Sequence, residues 1–291
     1  MRVLFFGYSQ IGHRTVELLV ERGDEVLAVV THRDDPHENR WYKTPAEAAA
    51  VHGLRVVYSE GLDDAGAALA SELSPDLILS VFYRSLLPDS VLASAKIAAL
   101  NLHPSLLPAY RGRAPINWVL VHGERETGIT LHHMVRRADA GDIVAQRAVP
   151  IAPRATALSL YLAIEQAGIE LLAEALPRVA DGTAPRIVQD ERKASKVGRR
   201  RPEDGRIDWT WPAARVDALV RAVAPPWPGA FGTIDGRRVE VHAGEPEEEI
   251  AIGPAGDRPP PGTLDRSGER IRVATADRWF RIDASEGLPG T

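Results

Sequence analysis

Short apolar runs alternate with amphipathic stretches through the first half of the chain. Arg2–Phe6 (RVLFF) reads as a buried strand ended by Gly7, and the helix from about Gln10 to Arg22 turns Val16, Leu18, Leu19 and Val20 inward. Glu25–Val30 and Leu54–Val57 read as strands, with a helix near Pro45–His52 between them. Ala65–Leu73 is helical, Asp76–Val81 (DLILSV) strand-like, and a short helix near Ser90–Ala95 leads into the apolar run Ile97–Leu100. Strands and helices alternating over short connections predict an α/β fold, a Rossmann-like, mostly parallel sheet covered on both faces. A helix over Ala114–His122, strands over Gly128–Met134 and Ile143–Pro150, a long amphipathic helix over Ala157–Ala180 and a short edge element over Thr183–Gln189 follow.

At Asp190 the pattern breaks. DERKASKVGRRRPED is charged and poor in apolar residues, so residues 190–204 read as a linker whose Lys193, Lys196 and Arg199–Arg201 are solvated charge. Beyond it come Ile207–Trp211 and a helix around Pro212–Val223. Short strands follow near Thr233–Ile234, Arg238–His242, Ile271–Ala274 and Trp279–Ile282, with a loop over Pro246–Pro261. Many short strands with turn signals suggest a small, OB-like β-barrel. The expected organisation is a catalytic domain at residues 1–189, a linker at 190–204 and a β-domain at 205–291.

Composition narrows the possible functions. With 291 residues the chain has room for two domains. It has no cysteine, so neither disulfides nor thiolate metal sites are available, and its nine histidines lack metal-ligand spacing. A metal is not expected. No apolar run is long enough to span a bilayer and the start of the chain is unlike a signal peptide, so a cytoplasmic protein with no membrane partner is expected. Net charge is −5, which disfavours a nucleic-acid partner.

The stretch richest in chemistry is Asn101–Trp118 (NLHPSLLPAYRGRAPINW). Asn101 and His103 would share one face of a strand end. Pro104, Pro108, Gly112 and Pro115 then stiffen the departing backbone. The carboxyl ends of strands are where open α/β sheets bind ligands. One strand later comes the acidic turn Asp139–Asp142. An amide can stabilise an oxyanion, an imidazole can take an amine proton, and a carboxylate beside the imidazole favours its charged form. Without an activated Ser or Cys, that trio suits direct acyl transfer to an amine. Gly7–Gly12 (GYSQIG) lacks the middle glycine of a dinucleotide fingerprint and the Lys of a phosphate loop, so Gly7 reads as a tight strand-to-helix turn.

Asn101–Trp118, Asp139–Gly141 and Trp227–Ala230 (WPGA) resemble the formyltransferase family that uses 10-formyltetrahydrofolate. The likeness runs from Arg2 to about Phe231, in most detail over Tyr110–Gln146 and Val197–Trp209, and within the family it is greatest to the branch that formylates UDP-4-amino-4-deoxy-L-arabinose. This resemblance implies that Asn101 holds the oxyanion, His103 is the general base and Asp139 orients it, with Asp142 as a rival carboxylate. It places folate contacts at Ser85, Leu86 and Leu87, at Arg113, and at Val135, Arg136, Arg137 and Ala138 through Asp139. It implies 10-formyltetrahydrofolate as co-substrate and a small nucleotide-sugar amine as partner. The methionyl-tRNA enzyme is the alternative within the family, and an RNA-binding module the alternative without catalysis. The mixed charge of Thr31–Thr44, with Arg33, Arg40 and Lys43 against Asp34, Asp35 and Glu38, favours the sugar over RNA.

Overall fold

A computed structural model of the chain describes residues 1–36, 39–58, 62–249, 258–266 and 270–288. Its first sheet holds β1 (Arg2–Gly7), β2 (Glu25–Thr31), β3 (Val56–Tyr58), β4 (Leu77–Val81) and β5 (Ala98–His103), all parallel. A two-residue strand, β6 (Arg111–Gly112), leaves this sheet, and β7 (Glu126–His133) and β8 (Ile143–Pro150) return to it antiparallel. The strand order β3-β2-β1-β4-β5-β7-β8 is the doubly wound order extended by an antiparallel edge. The central strands are apolar on both faces: Leu4, Phe5, Leu77, Ile78, Leu79 and Leu100 are fully buried, as a sheet covered on both sides requires.

Helices α1 (Ser9–Glu21), α2 (Pro45–Val51), α3 (Leu62–Leu73) and α4 (Asp89–Leu92) connect the parallel strands, followed by α5 (Pro115–Val121) and α6 (Ala157–Ala180). At the start of α2 a capping box forms: Thr44 N–H donates to Glu47 Oε2 at 2.6 Å and the Thr44 side chain caps the helix in return. Such a box is typically worth about 1 kcal/mol. Gly12 serves packing, since a Cβ there would lie 2.8 Å from Pro45 Cγ.

The chain packs into two compact units, neither of them one continuous stretch. The first comprises Met1–Pro115, Glu126–Pro150 and Leu162–Val197; the second comprises Ile116–Arg125, Ile151–Tyr161 and Gly198–Thr291. The second contains α7 (Ala213–Val223) and a five-stranded antiparallel sheet of β10 (Ala230–Ile234), β11 (Arg237–Glu249), β12 (Leu264–Asp265), β13 (Arg272–Ala274) and β14 (Arg278–Glu286), ordered β10-β11-β14-β13-β12. That sheet and α7 are the main elements of the expected β-domain among the described residues.

The structure differs from the sequence reading in three places. Residues 190–197, read as solvated linker, are tied to the first unit: β9 (Lys196–Val197) pairs with β6 and Glu191 holds the Arg111 guanidinium. The expected loop over Pro246–Pro261 starts later, because β11 runs on to Glu249; of the remainder, residues 250–257 lie outside the described residues. Pro246 lies opposite Phe280 in the β11–β14 pairing, next to an irregularity in its register and beyond the last β10 partner at Val241, positions where a strand tolerates proline. The edge element at Thr183–Gln189 reduces to a single bridge between Ile187 and Ile143. Among the described residues no helix is long and apolar enough to cross a membrane.

Candidate active site

β5 delivers the first two groups. Its residues alternate between the core (Ala98, Leu100, Leu102) and the opposite face, which carries Asn101 and, at the strand end, His103. β7 runs antiparallel beside it, so Asn101 stands opposite His132 and His103 opposite Thr130. Asn101 Nδ2 is 3.2 Å from His132 Nε2, while His132 Nδ1 is 2.8 Å from the His133 carbonyl oxygen. Only one arrangement satisfies both contacts with neutral rings: His132 donates from Nδ1 and accepts at Nε2. The Asn101 amide nitrogen is thereby turned to donate, with one N–H committed to His132.

After His103 the backbone follows a fixed path. Ser105 Oγ donates to the Ala109 carbonyl at 2.7 Å, and Gln146 Nε2 donates to the Leu107 carbonyl at 2.8 Å. This path brings the Tyr110 carbonyl to 2.9 Å from His103 Nε2 and sends the Gly112 N–H to Asp139 Oδ2 at 2.8 Å. Asp139 Oδ1 lies 3.5 Å from His103 Nδ1 and 3.6 Å from His132 Nε2. Asn101, His103 and Asp139 thus gather at the carboxyl end of β5, joined by His132. The sequence reading missed His132; the signal available was the antiparallel register that sets it across from Asn101.

Burial and charge act against each other here. His103 is 4% exposed, and its burial pushes the imidazole below its ordinary value, against the Asp139 carboxylate and the Tyr110 carbonyl, which favour the charged ring. For Asp139, burial alone would raise the carboxyl. The His103 charge, the neighbouring His132 ring and the Gly112 N–H outweigh it and lower the group to about 2. The carboxylate is therefore ionised at neutral pH. Asp142 faces elsewhere, accepting from Arg186 Nε at 3.3 Å.

The residues expected to meet folate lie on two loops of this unit. Ser85, Leu86 and Leu87 follow β4, and Val135, Arg136, Arg137 and Ala138 follow β7. Leu86 is 74% and Val135 47% exposed, whereas Leu87 packs against the core cluster of Leu4, Phe6 and Ile78. Arg113 donates from Nη2 to the Arg84 carbonyl at 2.6 Å, which ties it to the first of these loops. Arg137 pairs with Glu191. Among the described residues one grouping brings potential metal-ligand atoms within 4.8 Å of one another, Glu240, His242 and Glu286 in the second unit. His242 Nδ1 is buried without a partner, so a metal on Nε2 would leave a buried N–H unsatisfied.

A doubly wound sheet with an amide, an imidazole and an ionised carboxylate at one strand end describes a group-transfer enzyme. The formyl transferase family model matches residues 1–176, and the model of the formyl transferase C-terminal domain matches residues 199–286. The chain belongs to the formyl transferase family. Solved structures share its fold. An N-formyltransferase from Helicobacter canadensis in complex with folinic acid and dTDP-3-aminofucose aligns with a TM-score of 0.76 at 20% identity, over 97% of this chain and 98% of that one. WlaRD, a sugar 3-N-formyltransferase solved with dTDP and 5-N-formyl-THF, aligns with a TM-score of 0.74 at 16% identity over 97% of each chain. HypX from Aquifex aeolicus in complex with tetrahydrofolic acid aligns with a TM-score of 0.65 at 24% identity, over 98% of this chain and 44% of that one.

Proposed function

We propose that this enzyme transfers the formyl group of 10-formyltetrahydrofolate to the primary amine of a nucleotide-linked amino sugar, UDP-4-amino-4-deoxy-L-arabinose or a similar 4-amino sugar. The observation that carries the reading is the meeting of Asn101, His103 and Asp139 at the end of β5. The exposed Leu86 and Val135 suit a flat amphipathic ligand such as a pterin, and folate compounds are present in the three solved relatives. Of these, the Helicobacter enzyme and WlaRD were solved with a dTDP-sugar and dTDP respectively.

The residues act in sequence. Asn101 offers an amide N–H to the formyl oxygen as the neutral amine attacks the formyl carbon, and the contact tightens as charge builds on that oxygen. His103 keeps its Nε2–H on the Tyr110 carbonyl, so its lone pair is on Nδ1, and Nδ1 takes the proton from the attacking nitrogen. Asp139 stabilises the imidazolium so formed. A C–N bond to the sugar amine forms, the bond to folate N10 breaks, and His103 passes the proton to that nitrogen. Burial keeps the imidazole neutral beforehand, and the carboxylate rewards its protonation afterwards.

Two of the three basic residues after β2, Arg33 and Arg40, are engaged within the protein, which favours a small substrate over tRNA. Arg40 pairs with Asp34 at 3.2 Å and Glu47 at 3.4 Å, and the Arg33 guanidinium lies 4.4 Å from the Tyr58 ring centre. Of the opposing acids, Glu38 lies outside the described residues. The test is a panel of UDP-, dTDP- and GDP-linked amino sugars and initiator Met-tRNA, each incubated with 10-formyltetrahydrofolate. Release of tetrahydrofolate with a UDP-4-amino sugar is the expected result. Formylation of Met-tRNA alone, or RNA binding without turnover, would replace this reading. In the same assay Asn101→Ala should lose roughly 100- to 1,000-fold in kcat, the usual cost of one oxyanion donor.

A further inference from the structure

Arg111 is the largest fully buried side chain that carries a charge, at 2% exposure, and no step of the transfer uses it. Its Nε and Nη2 donate to Gln189 Oε1 at 3.2 and 2.6 Å, and its Nη1 and Nη2 donate to the two oxygens of Glu191 at 3.1 and 2.9 Å. A buried guanidinium needs this degree of pairing, and a fork-to-carboxylate contact is the geometry arginine makes best. Gln189, itself 6% exposed, reaches the other way: its Nε2 donates to the Asp139 carbonyl at 2.9 Å and to the Gly141 carbonyl at 2.7 Å. The site therefore asks for one acceptor toward Arg111 and two donors toward the turn. A side-chain amide meets that demand; a carboxylate, a hydroxyl or an ammonium does not.

The turn so gripped holds Asp139 in a left-handed conformation, φ 54°. A non-glycine residue there gives up about 1 kcal/mol or more and stays only where its surroundings hold it. On the other side of the clamp, Arg111 sits between Tyr110, whose carbonyl meets His103 Nε2, and Gly112, whose N–H meets Asp139 Oδ2. Ser195 fixes that stretch from behind, accepting Tyr110 N–H on Oγ at 2.8 Å and Arg111 N–H on its carbonyl at 2.9 Å. Both catalytic contacts of the loop thus run through residues adjacent to Arg111, and the Asp139 turn is joined to Arg111 through Gln189.

We propose that Gln189 is a positioning residue for formyl transfer: acting with Arg111 and Glu191, it fixes the Asp139 turn to the Tyr110–Gly112 segment and so sets the distance between the Asp139 carboxylate and the His103 ring. The inference rests on the reading that these two groups act in the reaction. Gln189→Glu is the discriminating change, since it keeps an acceptor for Arg111 and sets a carboxylate against two carbonyl oxygens. Gln189→Met removes both functions at similar length and serves if the first variant fails to fold.

The expected result is a kcat lower by about 10- to 100-fold, the scale of a misplacement near 1 Å, with KM for both substrates changed less than about threefold. The acid limb of the kcat/KM profile should move to lower pH. With the carboxylate displaced, His103 loses a group that favours its charged form, and the neutral base persists further into acid. Asp139→Asn is run alongside. If Asp139→Asn is crippled while both Gln189 variants keep wild-type kcat and an unmoved acid limb, the positioning role is overturned and the proposed reaction stands. A lower kcat with no shift of the limb marks mere structural damage and overturns it as well. If Asp139→Asn itself turns over normally, both readings fall.

Discussion

The proton chemistry of Asp139 can be followed without substrate. Its folded-state value of about 2 lies below the ordinary 3.8, so the carboxylate stabilises the fold. That contribution is fully present above about pH 4 and is lost as pH falls toward 2, and a shift of this size corresponds to about 2 kcal/mol. His103 is lowered too, by burial. The unfolded chain therefore takes up its proton first, and stability declines as pH drops below the ordinary imidazole value of 6.5. In the Asp139→Asn variant the side-chain amide has no charge to lose in acid. In urea unfolding, wild type should exceed Asp139→Asn by about 2 kcal/mol at pH 7, and the gap should close as pH falls from about 4 toward 2. A gap that stays constant with pH would show that this carboxylate is not depressed. The side chains of this site were legible in sequence because Asn101 and His103 sit two residues apart on a recognisable strand. His132 was not, since its link to Asn101 depends on a strand register that local periodicity does not encode.

Among the elements, the decisive ones are too short to leave a pattern. β8 and α6 fall where the sequence predicts them, Ile143–Pro150 and Ala157–Ala180, because each repeats its apolar period several times. β6 and β9 are two residues each and have no period to read, yet they set the path of the loop that meets His103 and Asp139. The charged run at 190–197 misled for a related reason. Composition does not distinguish a glutamate in water from Glu191, whose partner Arg111 is distant in the chain and buried. Glycine at 141 is where an element-scale test has a sharp outcome. A Cβ there would overlap the His133 carbonyl oxygen, a backbone atom of β7 that cannot swing aside. Gly141→Ala must therefore push the Asp139 turn away from β7. The expected result is at least a tenfold loss of kcat, in line with the cost of small misplacements, together with a lower melting temperature. Gly123→Ala is the control: its φ of 72° brings strain, but no atom lies within 4 Å of a Cβ there, so it should melt lower and keep its kcat. Equal kcat in the two variants would show that the turn tolerates displacement.

For the whole molecule, the division into units sets how the chain can be cut. A reading from composition puts one boundary after residue 189, as though the catalytic part were a single stretch. The packing instead places Ile116–Arg125 and Ile151–Tyr161 in the unit that contains Gly198–Thr291. Named bonds explain this placement. Asn117 Nδ2 donates to the Ala222 carbonyl at 2.7 Å, Arg221 Nη1 to the Ala155 carbonyl at 2.8 Å, and Arg154 pairs with Asp217 at 2.7 Å while reaching the Gly244 carbonyl. Asp217 is buried and receives both Arg154 and Arg221. A chain ended at Val197 keeps every residue of the candidate site but strips Asn117 of its buried acceptor and Arg154 of its partners. Half-exposed Arg154 weighs little and the Asn117 bond is worth about 1 kcal/mol. But Ile116, Val119, Leu120, Leu160 and Tyr161, all buried in the full chain, belong to the unit that loses most of its residues. Against a typical domain stability of about 5–15 kcal/mol their exposure is a large loss. Residues 1–197 alone should therefore melt well below the full chain, with the amides of α5 and of 151–161 exchanging fast. Adding back residues 198–291 in trans should slow that exchange. If the fragment instead melts within a few degrees of the full chain and protects α5 equally, the first unit folds by itself and the bonds named above are dispensable to it.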